Sequence, residues 1–481
     1  MKKLIIWIAS LVAVMLVVIG HFVVFGVTDT SYEKWLRSSV ASTVRGLSTL
    51  DTNDFQFPVV VDQSYLINDS LIAMSDKLVY REGEVVSLLT LSRDSGTVTV
   101  FTVDQNTRAI VGSGEFPANK KGSYTTVRSL TGFTQGDFHA QRIEVPSGYS
   151  GWLQIEVNAG TDRRNIPVFI QSSHLTADTL FIDGTNTLKA YNSGNGLRNN
   201  YANPLNLAGD FSRPDAYPMD YFLISPTSSE FTETVTTAAG DIDSQLFSCT
   251  EHLANANFAL KSALDAHGVS FDNATDDYLT ENPVPDNYKL LVFGAHDEYW
   301  SDAMFEHVTQ FVDRGGSVMF LGGNNAWRFV ESTSEGYQLF WGNGAQTAKQ
   351  EQFIDQILGT YWDMRGYNTF ATMTTQSSAA QFSPQVMSGT TFGEKLLVPQ
   401  CASRAPGISG YETDKLRDTA SDSFSILAKG NNPWFGGAEV VFRQTDAGGK
   451  ILNFSSTGSW QGVNDSTVNQ LFDAFLVKAL H

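Results

Sequence analysis

Two nearly continuous apolar runs, Leu290-Leu291-Val292-Phe293 and Ser317-Val318-Met319-Phe320-Leu321, flank one helical stretch. A strand that is apolar at successive positions has to be covered on both faces. Between the runs, Ser301 is placed to cap a helix that carries Met304, Val308, Phe311 and Val312 on one side and stops at Gly315-Gly316. A strand–helix–strand unit of this kind returns the chain parallel to itself. It predicts an α/β domain built on a parallel sheet, over residues 175–481. Other segments fit that reading. Residues 251–267 place Leu253, Ala256, Leu260 and Leu264 on one face, with Gly268 as a stop. Residues 438–442 and 450–454 flank Asp446-Ala447-Gly448-Gly449 as a hairpin. Val468, Leu471, Phe472, Phe475 and Leu476 define a final amphipathic helix.

Upstream the pattern is different. Leu78-Val79-Tyr80, Val85-Val86-Ser87-Leu88-Leu89 and 97–103 are short β-branched or aromatic segments, separated by Arg81-Glu82-Gly83-Glu84 and Asp94-Ser95-Gly96. Segments 152–157 and 166–170 are joined across Gly160-Thr161-Asp162. Short strands with turn chemistry between them and no helical period predict a β-sandwich over residues 61–172.

The N-terminus reads as an anchor. Lys2 and Lys3 precede an apolar run over residues 4–27, interrupted mainly by Ser10, Gly20 and His21. That is enough to span a bilayer as a helix and longer than the core of a cleavable signal. The lysines favour a cytoplasmic N-terminus. The expectation is a transmembrane segment over 1–27, a polar stalk over 28–60 that opens with a short helix, and folded domains on the extracytoplasmic side, periplasmic or extracellular. The 481-residue chain has a net charge of −19 and no long basic run, which argues against nucleic-acid binding. Its two cysteines, Cys249 and Cys401, exclude a disulfide scaffold and a cysteine zinc site. Whether they pair stays open, as does self-association into a homo-oligomer.

Ligands of open α/β sheets bind beyond the carboxyl ends of the strands. Two loops in that position are unusual: Gly294-Ala295-His296-Asp297-Glu298-Tyr299-Trp300-Ser301 and Gly322-Gly323-Asn324-Asn325-Ala326-Trp327-Arg328. Loops after neighbouring parallel strands lie side by side. His296 and Glu298 share a face of an extended segment, with Asp297 turned elsewhere. Glu298 can hold a hard metal or act as a base, and His296 can move a proton. The plain structural alternative is that the two brace the loop through buried hydrogen bonds. Tyr299 and Trp300 read as core packing. Phosphate-loop, H-E-x-x-H, G-x-S-x-G and C-x-x-C templates find no match. Cys249 reads as a helix start rather than a nucleophile, and His139, His252 and His267 stand alone.

The segment from His296 to Ser301, followed by Gly322-Gly323-Asn324-Asn325, resembles the large (β) subunit of N,N-dimethylformamidase and its relatives. Leu188-Lys189-Ala190-Tyr191-Asn192-Ser193-Gly194, Phe211-Ser212-Arg213-Pro214 and the stretch from Val145 to Trp152 resemble further segments of that family, in the same order. The resemblance covers roughly residues 75–480. It implies an immunoglobulin-like sandwich followed by a glutamine-amidotransferase-like, flavodoxin-like parallel α/β domain without the amidotransferase cysteine. It also implies a mononuclear ferric iron held by two tyrosinates and a glutamate, used to hydrolyse a small amide.

Carried onto this chain, the resemblance assigns Tyr191, Tyr217 and Glu298 as iron ligands, with Tyr221 in reserve for Tyr217. It assigns His296 as the acid/base, Asn324 as a polar neighbour and, weakly, Glu439 as a second catalytic carboxylate. Oxygen donors of this kind suit trivalent iron. The function implied is a membrane-anchored, metal-dependent hydrolase of C–N bonds in a small amide. The alternative is a non-enzymatic envelope protein that uses the same scaffold to bind a sugar, a peptide or a protein. The anchor departs from the soluble enzyme of the family. Residues 330–430, from which substrate-pocket residues are expected, show no recognisable pattern.

Overall fold

Strands form where the sequence pattern expects them over 79–103 and 151–171, while those at 71–75, 108–116 and 139–144 had no such signal. The protein is described from a computed structural model covering residues 71–75, 78–103, 108–118, 139–145, 147–191, 208–210, 235–237, 240–242, 254–333, 336–340, 344–367, 369–397 and 407–481. The proposed anchor and stalk, Tyr217, Tyr221, Cys249 and Cys401 lie outside these residues. Among the described residues no helix is long and apolar enough to cross a membrane.

Among the described residues the first region holds eight strands: β1 (Leu71–Ser75), β2 (Val79–Arg81), β3 (Val85–Ser92), β4 (Gly96–Val103), β5 (Arg108–Phe116), β6 (His139–Glu144), β7 (Gly151–Ala159) and β8 (Asp162–Gln171). One sheet has the order β1-β3-β6 and the other β2-β8-β7-β4-β5. The β7–β8 hairpin closes with Ala159 opposite Asp162. Alternation does the packing: Val98, Val100, Leu153, Ile155, Val157, Ile166 and Val168 of the larger sheet share one core with Leu71, Ala73, Val86 and Leu88 of the smaller.

The second region is centred on a nine-stranded sheet. In chain order its strands are β9 (Thr179–Asp183), β10 (Phe271–Thr275), β11 (Leu290–Phe293), β12 (Ser317–Phe320), β13 (Met373–Thr375), β14 (Thr391–Phe392), β15 (Ser425–Gly430), β16 (Glu439–Gln444) and β17 (Lys450–Asn453). Their spatial order is β10-β9-β11-β12-β17-β16-β15-β13-β14. The first five strands are mutually parallel, and from β17 onward every pairing is antiparallel. The sheet expected to be parallel is thus a mixed one, with the expected hairpin at its turning point. The hairpin β16–β17 reverses the chain, and short strands from the patternless region extend the edge.

The helices at 254–266, 302–313 and 466–480 follow the expected periodicities, and two short ones had no such signal. α1 (Thr185–Tyr191) follows β9, and α2 (Ala254–Ala266) buries Ala256, Leu260 and Leu264. α3 (Asp276–Glu281) follows β10 directly. α4 (Asp302–Asp313) starts at Ser301, whose hydroxyl accepts a hydrogen bond from Met304 N at 3.2 Å, and it buries Met304, Val308, Phe311 and Val312. α5 (Ser466–Leu480) ends the chain and buries Val468, Leu471, Phe472 and Phe475. Residues of α2 and α5 share one apolar cluster, while those of α3 and α4 belong to another. Both clusters include strands of the sheet, which is therefore covered on two faces.

Candidate active site at the carboxyl ends of the parallel strands

β11 and β12 pair in register from Leu290 opposite Ser317 to Phe293 opposite Phe320. The loops that follow them therefore start side by side. Gly322 is required by that proximity: a Cβ there would lie 2.3 Å from Ala295 O. Gly323 is equally constrained, because its Cβ would meet Glu412 O at 2.8 Å and Thr457 N at 2.9 Å. Asn324 and Ala326 take positive φ, at 54° and 55°. Asn tolerates that conformation and Ala does not, so the loop stores strain that its bonds must hold. Ala326 N donates to Asp297 O at 2.9 Å and Trp327 N to Glu298 O at 2.8 Å.

The first loop turns its residues as the alternation required. His296 and Glu298 face one another, with His296 Nε2 3.4 Å from Glu298 Oε2. Gly323 O lies 3.0 Å from His296 Nδ1, which fixes the proton of the ring on that side. Asp297 points away, toward Asp276 at the start of α3. Burial above all pushes Asp276 well above the carboxylate range, and Asp297 adds to it. Burial likewise pushes Asp297 up to about 7, so this pair keeps a proton near neutral pH. Tyr299 and Trp300 are fully buried packing residues, as their sequence context implied.

A carboxylate that sequence reading missed completes the cluster. Glu412 Oε2 lies 3.5 Å from His296 Nε2, the same ring nitrogen that Glu298 approaches. The Asn324 amide joins the two acids, donating from Nδ2 to Glu298 Oε1 and Glu412 Oε2 at 3.1 Å each. Asp414 fixes the Asn324 backbone, accepting from its N–H at 2.8 and 3.0 Å. The sequence signal was a second alternating segment, Glu412-Thr413-Asp414, with both acids on one face of an extended chain. The strand that Asp414 begins, Asp414–Leu416, pairs with Thr360–Trp362.

The electrostatics favour a charged imidazole. Burial alone would lower the His296 pKa, but the approach of Glu298 to 3.4 Å and the charges of Glu412 and Glu298 outweigh it and raise it to about 9. Burial pushes Asp414 up to about 8 despite its bond from Asn324.

The loop is anchored from beneath. Thr187 Oγ1 in α1 accepts from Glu298 N at 2.8 Å, and Asn186 Nδ2 donates to Tyr299 O at 3.2 Å. At the end of β9, Asp183 forms a buried pair with Lys261 at 2.7 Å and accepts from Asn257 at 2.8 Å. Asn257 Oδ1 in turn accepts from Ala295 N at 2.9 Å.

The structure brings His296, Glu298 and Asn324 together. Glu439 sits elsewhere in the bonding pattern. Its carboxylate accepts from Leu416 N at 3.0 Å and pairs with Lys429 at 2.8 Å, with Lys415 at 3.8 Å. The second carboxylate facing His296 is Glu412. Tyr191 ends α1, the helix bonded to the Glu298 loop; its side chain lies outside the described atoms, as does all of Tyr217. Among the described residues no group of three or more His, Cys, Asp and Glu side chains is arranged to hold a metal ion. Glu298 Oε2 is nonetheless buried and accepts no hydrogen bond among the described residues, and Asn324 Oδ1 is in the same state. A buried carboxylate oxygen left without a donor fits a hard cation.

A buried histidine against two amide-bridged carboxylates, at the carboxyl edge of a mixed α/β sheet, is an arrangement able to hold and move a proton. The chain belongs to the family described as N,N-dimethylformamidase beta subunit-like, C-terminal, whose model matches residues 125–463. No curated protein matches the chain.

Proposed function

We propose that this protein is a metal-dependent hydrolase of C–N bonds in amides, anchored to the membrane by residues 1–27 and exposed on the extracytoplasmic side. Its scaffold reads as an immunoglobulin-like sandwich followed by a glutamine-amidotransferase-like domain. Membership of the dimethylformamidase-like family supports the reaction class. The observation that carries the reading is His296 Nε2 between Glu298 at 3.4 Å and Glu412 at 3.5 Å.

The metal proposed is a single ferric iron, held by Glu298, Tyr191 and Tyr217, with Tyr221 in reserve. When bound, it would polarise the amide carbonyl and acidify water. The protein's own residues have distinct tasks. His296 is held as the imidazolium and gives its proton to the departing amine nitrogen. Glu412 keeps that proton on the ring and accepts one from the attacking water. Asn324 fixes the two carboxylates at equal distance from its amide. Water oxygen bonds to the carbonyl carbon, the C–N bond breaks, and the proton given by His296 is made good by the one taken from water.

A second reading rests on closure. The His296 side chain is fully buried and that of Glu298 is 2% exposed, as befits a structural brace in a non-enzymatic binding protein. One experiment separates the two. The full chain, purified in detergent without chelator, is assayed for iron beside Tyr191→Phe and Glu298→Ala. Near-stoichiometric iron with a visible phenolate-to-iron absorption band, lost in both variants, supports the hydrolase. Folded protein that takes up no iron on reconstitution overturns it in favour of the binding protein.

A further inference from the structure

An arc of aromatic rings in mutual contact starts beside the Glu298 loop. Trp327 packs against Ala190 and Tyr299, its ring 6.3 Å from that of Tyr299. Trp362 follows at 6.2 Å, Tyr367 at a further 6.2 Å and Tyr411 at 5.5 Å. Two members of this arc adjoin the site through the backbone. Trp327 N donates to Glu298 O at 2.8 Å, and Tyr411 precedes Glu412. Tyr411 has a φ of 58°, a strained conformation for a bulky side chain.

The arc also leads outward. Trp327, Trp362 and Tyr411 are half-buried, and Tyr367 is 45% exposed. Its interplanar angles are 78°, 60°, 76° and 51°, so no two of its rings lie face to face. The Trp362 indole Nε1 is buried with no hydrogen-bond partner among the described residues. The charges beside it neutralise each other, Arg365 pairing with Asp363 at 2.9 Å. A rim of tilted and edge-to-face rings, with the Arg328 guanidinium 5.3 Å from the Trp327 ring centre, receives a further flat ring in the geometry its own members adopt.

We propose that Trp327, Trp362, Tyr367 and Tyr411 form the mouth of the Glu298–Glu412 site and select amides that carry an aromatic substituent. The proposal rests on the hydrolase reading and names its substrate class. The specificity-determining residues are Trp362 and Tyr367.

The test compares acetanilide with N,N-dimethylacetamide, which share an acyl group, on the iron-loaded full chain. The expected preference for acetanilide in kcat/KM is roughly tenfold or more. Trp362→Ala and Tyr367→Ala should each raise KM for acetanilide by roughly 3- to 10-fold, the size of one aromatic contact, with kcat much less affected. The preference should fall by the same factor, and Trp362→Phe should keep most of it. Tyr367 is exposed enough that its variant folds. Equal use of the two amides, or variants that slow both alike, overturns the proposal.

Calorimetric titration with acetanilide covers a chain that hydrolyses neither amide. Binding that weakens in Tyr367→Ala then supports the aromatic mouth while the hydrolase reading falls. Absence of binding, or binding of a hexose in its place, overturns the mouth as well.

Discussion

Glu298 and Glu412 come from distant parts of the chain yet share a single donor, the Asn324 amide, at 3.1 Å from each carboxylate. Two buried acids beside one imidazole would repel each other without it. Asn324→Asp keeps the tolerance for φ 54° but turns the donor into a third acid. It should destabilise the fold by about 3 kcal/mol or more, and more than Asn324→Ala, which loses one bonding group at about 1–3 kcal/mol. Urea unfolding at neutral pH measures both. An Asp variant as stable as wild type would show that the two acids do not depend on this bridge.

Thr187 makes a second, cleaner case. Its hydroxyl is buried and receives the Glu298 N–H at 2.8 Å. Thr187→Val preserves shape and orphans that N–H, at a cost of about 1–3 kcal/mol, whereas Thr187→Ser retains the acceptor. Hydrogen exchange at the Glu298 amide should speed up in the valine variant alone. Equal protection in both would mean the bond does not hold the loop.

The pH dependence has a defined sign. His296 is raised from 6.5 to about 9, so its stabilising contribution is complete below about 6.5 and is lost as pH climbs through about 9. The loss is on the order of 3 kcal/mol in metal-free protein. Asp414, raised from 3.8 to about 8, acts in the same direction over a lower range. Its carboxyl favours the fold while protonated and opposes it increasingly up to about pH 8. Melting temperature should fall from weakly acidic to alkaline pH, with a shallower slope in His296→Gln above about 6.5 and in Asp414→Asn below about 8. Slopes identical to wild type in both variants would contradict these assignments.

Gly322 tests the closeness of the two loops. An alanine Cβ would lie 2.3 Å from Ala295 O, and backbone cannot yield as a side-chain end can. Gly322→Ala should cost about 1–3 kcal/mol and loosen the contact between His296 Nδ1 and Gly323 O. A denaturation midpoint unchanged from wild type would show that the loops can part freely.

Much of the site was readable from local pattern. The runs at 290–293 and 317–321, with Ser301 at the helix start, specified β11, α4 and β12, and so the adjacency of the two loops. Period-two alternation placed His296 and Glu298 together and Asp297 apart. Glu412 and Asp414 were harder to see because their position depends on a three-residue strand pairing with 360–362, which leaves no periodic trace. Glu439 has the residue type expected of the second acid, but Lys429 and Lys415 take up its charge, and such partners are invisible in sequence order. The antiparallel extension of the sheet was hidden for the same reason, since β13 and β14 are three and two residues long.

Glu412 enters the site on a segment between β14 and β15, after both loops that bear His296, Glu298 and Asn324 have been synthesised. During translation the imidazole and first carboxylate therefore exist for a time without their counterpart. A nascent or truncated chain ending before residue 412 carries no assembled acid–base centre. The His296–Glu298–Glu412 cluster is thus assembled only after most of the polypeptide has left the ribosome and the final strands have joined the sheet.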